Sequence, residues 1–218
     1  MHIHPSILSA DFANFERELK SISSADAAHV DVMDNHFVPN LTFGLGLVQA
    51  LKRVSDLPLD IHLMIENPER WAPEYASAGA ESVTFHLEAS SDPIWLAREL
   101  KKLGAKSAIA IKPNTAVEDL IELLPEIDML LIMTVEPGFG GQPLIQSTLS
   151  KISQARDEIS NSGLEIALQV DGGVTEDNIG ELAKLGADVF VAGSAVFKNP
   201  DRNEQISELR ALAKAHAS

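Results

Sequence analysis

Eight short apolar runs, rich in β-branched residues, recur along the chain, and an amphipathic stretch follows each of them. The runs lie near 3–8 (IHPSIL), 28–33 (AHVDVM), 58–64 (PLDIHLM), 81–86 (ESVTFH), 106–111 (KSAIAI), 128–134 (DMLLIMT), 165–170 (EIALQV) and 188–192 (DVFVA). Several are apolar almost throughout, the pattern of strands covered on both faces in a parallel sheet. Helical spacing falls between them, near 11–23, 44–55, 68–78, 92–103, 117–124, 146–161, 177–185 and 202–216. In 11–23, Phe12, Phe15, Leu19 and Ile22 share one face behind Asp11 as cap. The 218 residues divide into eight units of about 27, a fitting length for a strand and its crossover helix. Gly79, Gly104 and Gly186 each stand before an Ala between a helix end and a strand start, where a helix C-cap needs positive φ. No Pro/Gly/Ser-rich linker or charge block divides the chain. The expectation is one α/β domain over 1–218, a closed (β/α)8 TIM barrel. An open doubly wound sheet that bound a dinucleotide would place a glycine-rich turn after its first strand. Here that position reads Leu8-Ser9-Ala10-Asp11.

Composition narrows the partners. Against 32 Asp and Glu stand 17 Lys and Arg, a formal net charge of −15. That field disfavours nucleic acid and a polybasic membrane dock. An anionic substrate must be held locally, by backbone N–H groups or a metal. The absence of cysteine excludes disulfides, thiolate metal sites and Cys nucleophiles. The start, MHIHPSILSADF, lacks the basic and apolar regions of a secretory leader, and no apolar run reaches the roughly 18 residues of a membrane helix. A cytoplasmic location is the expectation.

Barrel chemistry gathers at the C-terminal ends of the strands. Strand 1 offers Ser9 there, and strand 2 offers His29, Asp31 and Asp34. Strand 3 offers Asp60 and His62, strand 4 His86 and Glu88, and strand 7 Asp171. Residues two apart on a strand face the same way. A lone His or Asp in an apolar strand reads as a hydrogen-bonded core group, because burial without a partner is costly. Strands 2, 3 and 7 all present such residues at matching depth. His29, Asp31, His62 and Asp171 therefore form a two-His, two-carboxylate set suited to one divalent ion such as Zn²⁺, Mn²⁺ or Fe²⁺. His86 and Glu88 fit a structural or gating role as well as a place in that site. Asp60 fits either an inward position beside His62 or a bond to neighbouring backbone. His2, His4 and His216 lie near the termini and read as solvated surface.

Met33, Met64 and Met133 fall at the ends of strands 2, 3 and 6. As core they are filler; at one level they would cap a water-poor site and strengthen the effect of a metal charge. Three consecutive strands end in glycine-rich loops: Gly138-Phe139-Gly140-Gly141, Gly172-Gly173 and Gly193-Ser194. The N–H groups of Gly172, Gly173, Gly193 and Ser194 suit a phosphate without any lysine. The loop at 136–142 reads as a lid with glycine hinges.

These motifs carry a family resemblance. PSILSADF, HVDVMDNHFVPNLTFG, DIHLMIENP, TVEPGFGGQ, VDGGV and AGSAVF resemble the ribulose-phosphate 3-epimerase family, in register over nearly the whole chain. The resemblance implies a (β/α)8 barrel that interconverts D-ribulose 5-phosphate and D-xylulose 5-phosphate with one divalent metal, Zn²⁺, Fe²⁺, Mn²⁺ or Co²⁺. It implies His29, Asp31, His62 and Asp171 as metal ligands, with Asp31 and Asp171 also the acid/base pair acting through a metal-stabilised enediolate. It places Ser9, His62 and Asp171 at the substrate, and Gly138, Phe139, Gly140, Gly141, Gly172, Gly173, Gly193 and Ser194 around its phosphate end. Met33, Met64 and Met133 match the methionines that cap the metal. Members occur in more than one assembly, so a homo-oligomer is expected, its order open.

Three other readings stand beside this one. A 3-epimerase of a six-carbon ketose phosphate, such as D-allulose 6-phosphate, would use the same site. A metal-assisted aldolase or decarboxylase would place a lysine at a strand end, where only Lys112 qualifies, beside Pro113. A non-enzymatic phosphosugar-binding barrel would not need two aspartates across a metal.

Overall fold

In the computed structural model, which describes residues 1–217, eight parallel strands occur where apolar runs were expected. They are β1 (His2–His4), β2 (Ala28–Met33), β3 (Leu59–Met64), β4 (Ser82–His86), β5 (Lys106–Ile111), β6 (Met129–Met133), β7 (Ala167–Asp171) and β8 (Val189–Val191). Their order around the sheet is β1-β8-β7-β6-β5-β4-β3-β2. The last gap, between β1 and β2, is spanned by a single parallel bridge of Ser6 to His29, with the His29 N–H donating to the Pro5 carbonyl at 3.0 Å. The sheet is thus a nearly closed barrel.

The helices are α1 (Phe15–Lys20), α2 (Leu45–Val54), α3 (Pro68–Ser77), α4 (Pro93–Lys102), α5 (Leu149–Ser162), α6 (Ile179–Lys184), α7 (Ser194–Phe197) and α8 (Arg202–His216). Asp92 and Asp201 cap α4 and α8, accepting from the N–H groups of Trp95 and Glu204 at 3.0 Å. Gly79, Gly104 and Gly186 follow α3, α4 and α6 with φ of 92°, 88° and 104°, as a left-handed cap requires. Four local details differ from the sequence reading. The first strand stops at His4, because Pro5 cannot extend a ladder of N–H donors, and Ile7–Ser9 turn as a 3-10 helix. The first helix is shorter than 11–23: Asp11 caps a 3-10 turn at Phe12–Asn14, and Phe12 is exposed while Leu19 and Ile22 are buried. The segment Val117–Glu126 is a 3-10 helix, with Pro125 lacking an N–H in its last turn. The short α7 was not foreseen as an element of its own.

Alternation along the strands sorts side chains between two compartments. Ile61, Leu63, Val83, Phe85, Ile109, Ile111, Leu130, Ile132, Leu168 and Val170 join the large core between barrel and helices. The intervening residues point inward, and many are polar: His29, Asp31, Asp60, His62, Ser82, Thr84, His86 and Gln169 are all buried. No described helix is long and apolar enough to cross a membrane.

Candidate active site

His29 and Asp31 stand two residues apart on β2, so one face of the strand carries both. Strand register sets His62 of β3 beside Asp31. Asp171 ends β7, opposite Met133 of β6. Four atoms of these residues converge within 4.8 Å of one another. His29 Nε2 lies 3.5 Å from Asp31 Oδ1 and 3.8 Å from Asp171 Oδ2. His62 Nδ1 lies 3.5 Å from Asp31 Oδ1, 3.4 Å from Asp171 Oδ2 and 3.4 Å from His29 Nε2. A tetrahedron of ligands at 2.0–2.2 Å from a central ion has edges of about 3.3–3.6 Å. The spacing and the imidazole–carboxylate chemistry both fit a divalent ion.

Surrounding groups hold these donors in place. Asp60, fully buried, points inward, and its Oδ2 lies 2.8 Å from His29 Nδ1, 2.8 Å from His4 Nδ1 and 2.7 Å from Gln169 Nε2. Ser82 donates to its other oxygen at 2.6 Å. A carboxylate on Nδ1 fixes His29 with its Nε2 lone pair toward the cluster. His4 is therefore not solvated surface: its side chain is 12% exposed and tied to Asp60. Burial raises the Asp60 carboxyl, but the His29 charge and its hydrogen bonds outweigh this and hold it well below the ordinary range. Burial lowers His29, and the charges of Asp31 and Asp60 more than reverse that, so its pKa stands well above the usual value. His62 is raised on balance, burial being outweighed by hydrogen bonds to Asp171 and Asp31. Asp31 is lowered, its burial offset by His29 and His62.

His86 and Glu88 lie outside the donor set, one step behind it. His86 Nε2 is 3.0 Å from His62 Nε2, and His86 Nδ1 is 3.2 Å from Glu88 Oε2. Burial, with the neighbouring His62 charge, pushes His86 down to about 4. Glu88 is drawn down to about 2, as hydrogen bonds to His86, Thr115 and the Lys112 N–H outweigh its burial. The Lys112 ammonium sits 3.9 Å over the Phe37 ring and is not among the residues lining the cavity, which removes the support for a lysine-based aldolase.

A cavity of about 330 Å³ opens above the cluster at the C-terminal ends of the strands. Asp31 and Asp171 reach its floor, while His29 and His62 are sealed beneath. Met33, Met64 and Met133 line it, each almost fully buried. So do Ser9, Gly138, Phe139, Gly140, Gly141, Gly172, Gly173, Gly193 and Ser194, which the fold brings together from four loops. Gly193 is held against Ser9: a Cβ there would stand 2.7 Å from Ser9 Oγ. The loop at 136–142 is tied by Asn40, whose amide donates to the Gly138 carbonyl at 2.7 Å, and by Gln142 across its own turn. Two groups escaped the sequence reading. Ser6 lines the cavity and donates to Asp31 Oδ2 at 2.5 Å. Thr134, fully buried, donates to the carbonyls of Asp171 and Gly172 at 2.9 and 2.6 Å. The polarity of Ser6 inside a strand-like run was the available signal for the first; nothing in the sequence marked the second.

Comparison with known proteins identifies the family and the fold. The model of the ribulose-phosphate 3 epimerase family matches residues 2–197. Ribulose-phosphate 3-epimerase of Mycobacterium tuberculosis (strain ATCC 25618 / H37Rv) is 50% identical over 213 residues, covering 98% of this chain and 93% of the relative. The enzyme of the same name from Escherichia coli (strain K12) is 46% identical over 216 residues, covering 97% and 96%. Among solved structures, 3-hexulose-6-phosphate synthase from Salmonella typhimurium superposes with a TM-score of 0.70 at 17% identity, covering 99% of this chain and 100% of that one. KGPDC from Streptococcus mutans gives 0.73 at 12% identity, covering 100% and 99%. These two share the fold. With a whole-chain family match and relatives near half identity, the chain belongs to the ribulose-phosphate 3-epimerase family, epimerases of the isomerase class.

Proposed function

We propose that this chain, a single domain, interconverts D-ribulose 5-phosphate and D-xylulose 5-phosphate by inverting C3. The observation that carries the reading is the pair Asp31 and Asp171, which reach one cavity floor from β2 and β7. Around the nearly closed barrel these strands are separated by β1 and β8. Inversion needs one base for each face of the reacting carbon, and two carboxylates approaching from separate strands meet that need. His29, Asp31, His62 and Asp171 would hold one divalent ion, Zn²⁺, Fe²⁺, Mn²⁺ or Co²⁺. When bound, such an ion supplies Lewis-acid stabilisation to the negative charge that develops on the oxygens beside C3.

The chain's own groups do the rest. One aspartate takes the C3 proton and the other returns a proton to the opposite face. The Ser6 hydroxyl fixes Asp31 by its outer oxygen, and Thr134 fixes the backbone of Asp171. Met33, Met64 and Met133 keep water from the reacting carbon. Backbone N–H groups of Gly172, Gly173, Gly193 and Ser194 take the phosphate. Ser9, Gly138, Phe139, Gly140 and Gly141 close around that end.

The test is proton NMR in D₂O with metal-replete protein and D-ribulose 5-phosphate. The expected result is exchange of the C3 hydrogen together with D-xylulose 5-phosphate. Exchange without product would remove the two-base assignment. No exchange, with turnover of D-allulose 6-phosphate, would move the substrate to the six-carbon class.

A further inference from the structure

His29 and His62 are oriented by different means. Asp60 touches His29 directly, whereas the far nitrogen of His62 meets another imidazole. That nitrogen, Nε2, lies 3.0 Å from His86 Nε2, and His86 Nδ1 lies 3.2 Å from Glu88 Oε2. Both rings are fully buried. Glu88 in turn is anchored: its Oε1 accepts from the Lys112 N–H at 2.7 Å and from the Thr115 hydroxyl. The loop carrying those donors is pinned by the Lys151 ammonium, which donates to the carbonyls of Lys112, Pro113 and Thr115 at 2.9, 2.7 and 2.5 Å.

Hydrogen placement follows from the outer end inward. A carboxylate only accepts, so His86 Nδ1 carries the hydrogen that meets Glu88. Neutral His86 then has its lone pair on Nε2. His62 Nε2 must donate to it, which leaves the lone pair of the neutral His62 ring on Nδ1. That is the atom facing Asp31 Oδ1 at 3.5 Å and Asp171 Oδ2 at 3.4 Å. The opposite assignment would set two lone pairs against each other at Glu88.

We propose that Glu88, acting through His86, is a positioning residue that fixes His62 as its Nε2–H tautomer and keeps Nδ1 free to bind a metal. The inference rests on the metal reading given under the proposed function. It gives His86 and Glu88 a shared task and makes the loop after β5 part of the site's support. Groups of this kind, one step behind a ligand, typically alter metal affinity by about 10–100-fold when removed.

The experiment uses the metal-free full chain, its Glu88→Ala variant and its His86→Phe variant. His86→Phe keeps a ring in place and serves if Glu88→Ala loosens the loop enough to unfold. Nitrogen-15 NMR of the histidines reads the tautomer, and a Co²⁺ titration followed by visible absorption reads the affinity. At a pH above the His62 titration, the expected result is a single Nε2–H form of the neutral ring in the unmodified chain. Either variant should show an Nδ1–H population and bind Co²⁺ about 10–100-fold more weakly. An Nδ1–H form in the unmodified chain, or variants that keep both tautomer and affinity, would overturn the inference. If the unmodified chain takes up no Co²⁺, the metal reading fails, and the tautomer readout alone still decides the role of Glu88.

Discussion

A Cβ on Gly172 would stand 2.5 Å from Val135 Cγ2 and 2.8 Å from the Val135 backbone nitrogen, at a φ of 123°. Neither neighbour is the free end of a flexible side chain, so the position has no room to yield. Gly172→Ala should destabilise the protein by about 2–4 kcal/mol, from backbone strain and overpacking together, read as the midpoint of denaturant unfolding. An unchanged midpoint would mean that the β6 and β7 ends part more easily than their packing indicates. Asp171→Asn is the complementary case, since it keeps the shape and removes the carboxylate proposed as a base. Its melting temperature should hold while turnover falls by about 10²–10⁴-fold or more, and a fully active variant would remove the acid/base role. Polar side chains in apolar strands singled out His29, Asp31, His62 and Asp171, which the fold brings within 4.8 Å of one another, because only a site or a dense hydrogen-bond network offsets their burial. Asp60 and His4 supply that network; the sequence reading left Asp60 open and took His4 for surface. Ser6 was passed over because the first strand was read through to Leu8, which put Ser9 at the strand end.

Helix α3 carries Tyr75, the chain's single tyrosine, buried in the layer beneath it. Burial, with the Glu74 carboxylate beside it, pushes the phenol up to about 12. An unfolded tyrosine ionises near 10. The stabilisation is therefore fully present below about pH 10 and is lost as pH rises toward 12, because the unfolded chain gives up its proton first. Absorbance of the tyrosinate should titrate late in the folded protein and near pH 10 in denaturant. A native titration near 10 would show that the ring reaches water. Elements as such were readable from periodicity, and the glycine caps after α3, α4 and α6 from their position. The winding of Val117–Glu126 was not, since over ten residues an apolar stripe at three-residue spacing resembles one at three or four. The end of β1 depended on one proline, whose effect a hydrophobic pattern does not register.

At the scale of the whole molecule, the proposed ion joins the neighbouring strands β2 and β3 to β7, which is distant from both in sequence. Chelation should lower the melting temperature as well as activity, and re-addition of one divalent ion should restore both. At a free-ion concentration 100 times its Kd, the stabilisation is about 2.7 kcal/mol. Full activity after exhaustive chelation would remove the metal from the reaction. The barrel itself was legible because eight repeats of strand and helix leave few other arrangements. Its seam was not, because a single bridge at Ser6 leaves no pattern. That seam bears on how the protein comes into being. Strand β1 has its ladder partner in β8, His2 beside Val189 and His4 beside Val191. At about 5–20 residues per second of synthesis, the first strand waits roughly 10–40 s for its neighbour to be made. Pulse-labelled hydrogen exchange during refolding should find the β1 amides among the last protected, and early protection there would refute late closure. Until then Ser9 has no Gly193 to rest against, and that end of the cavity is unfinished. A chain cut short before its eighth strand would carry both aspartates and still lack the wall that Val191, Gly193 and Ser194 give the pocket, so the cavity is completed only when the last strand of the barrel has been made.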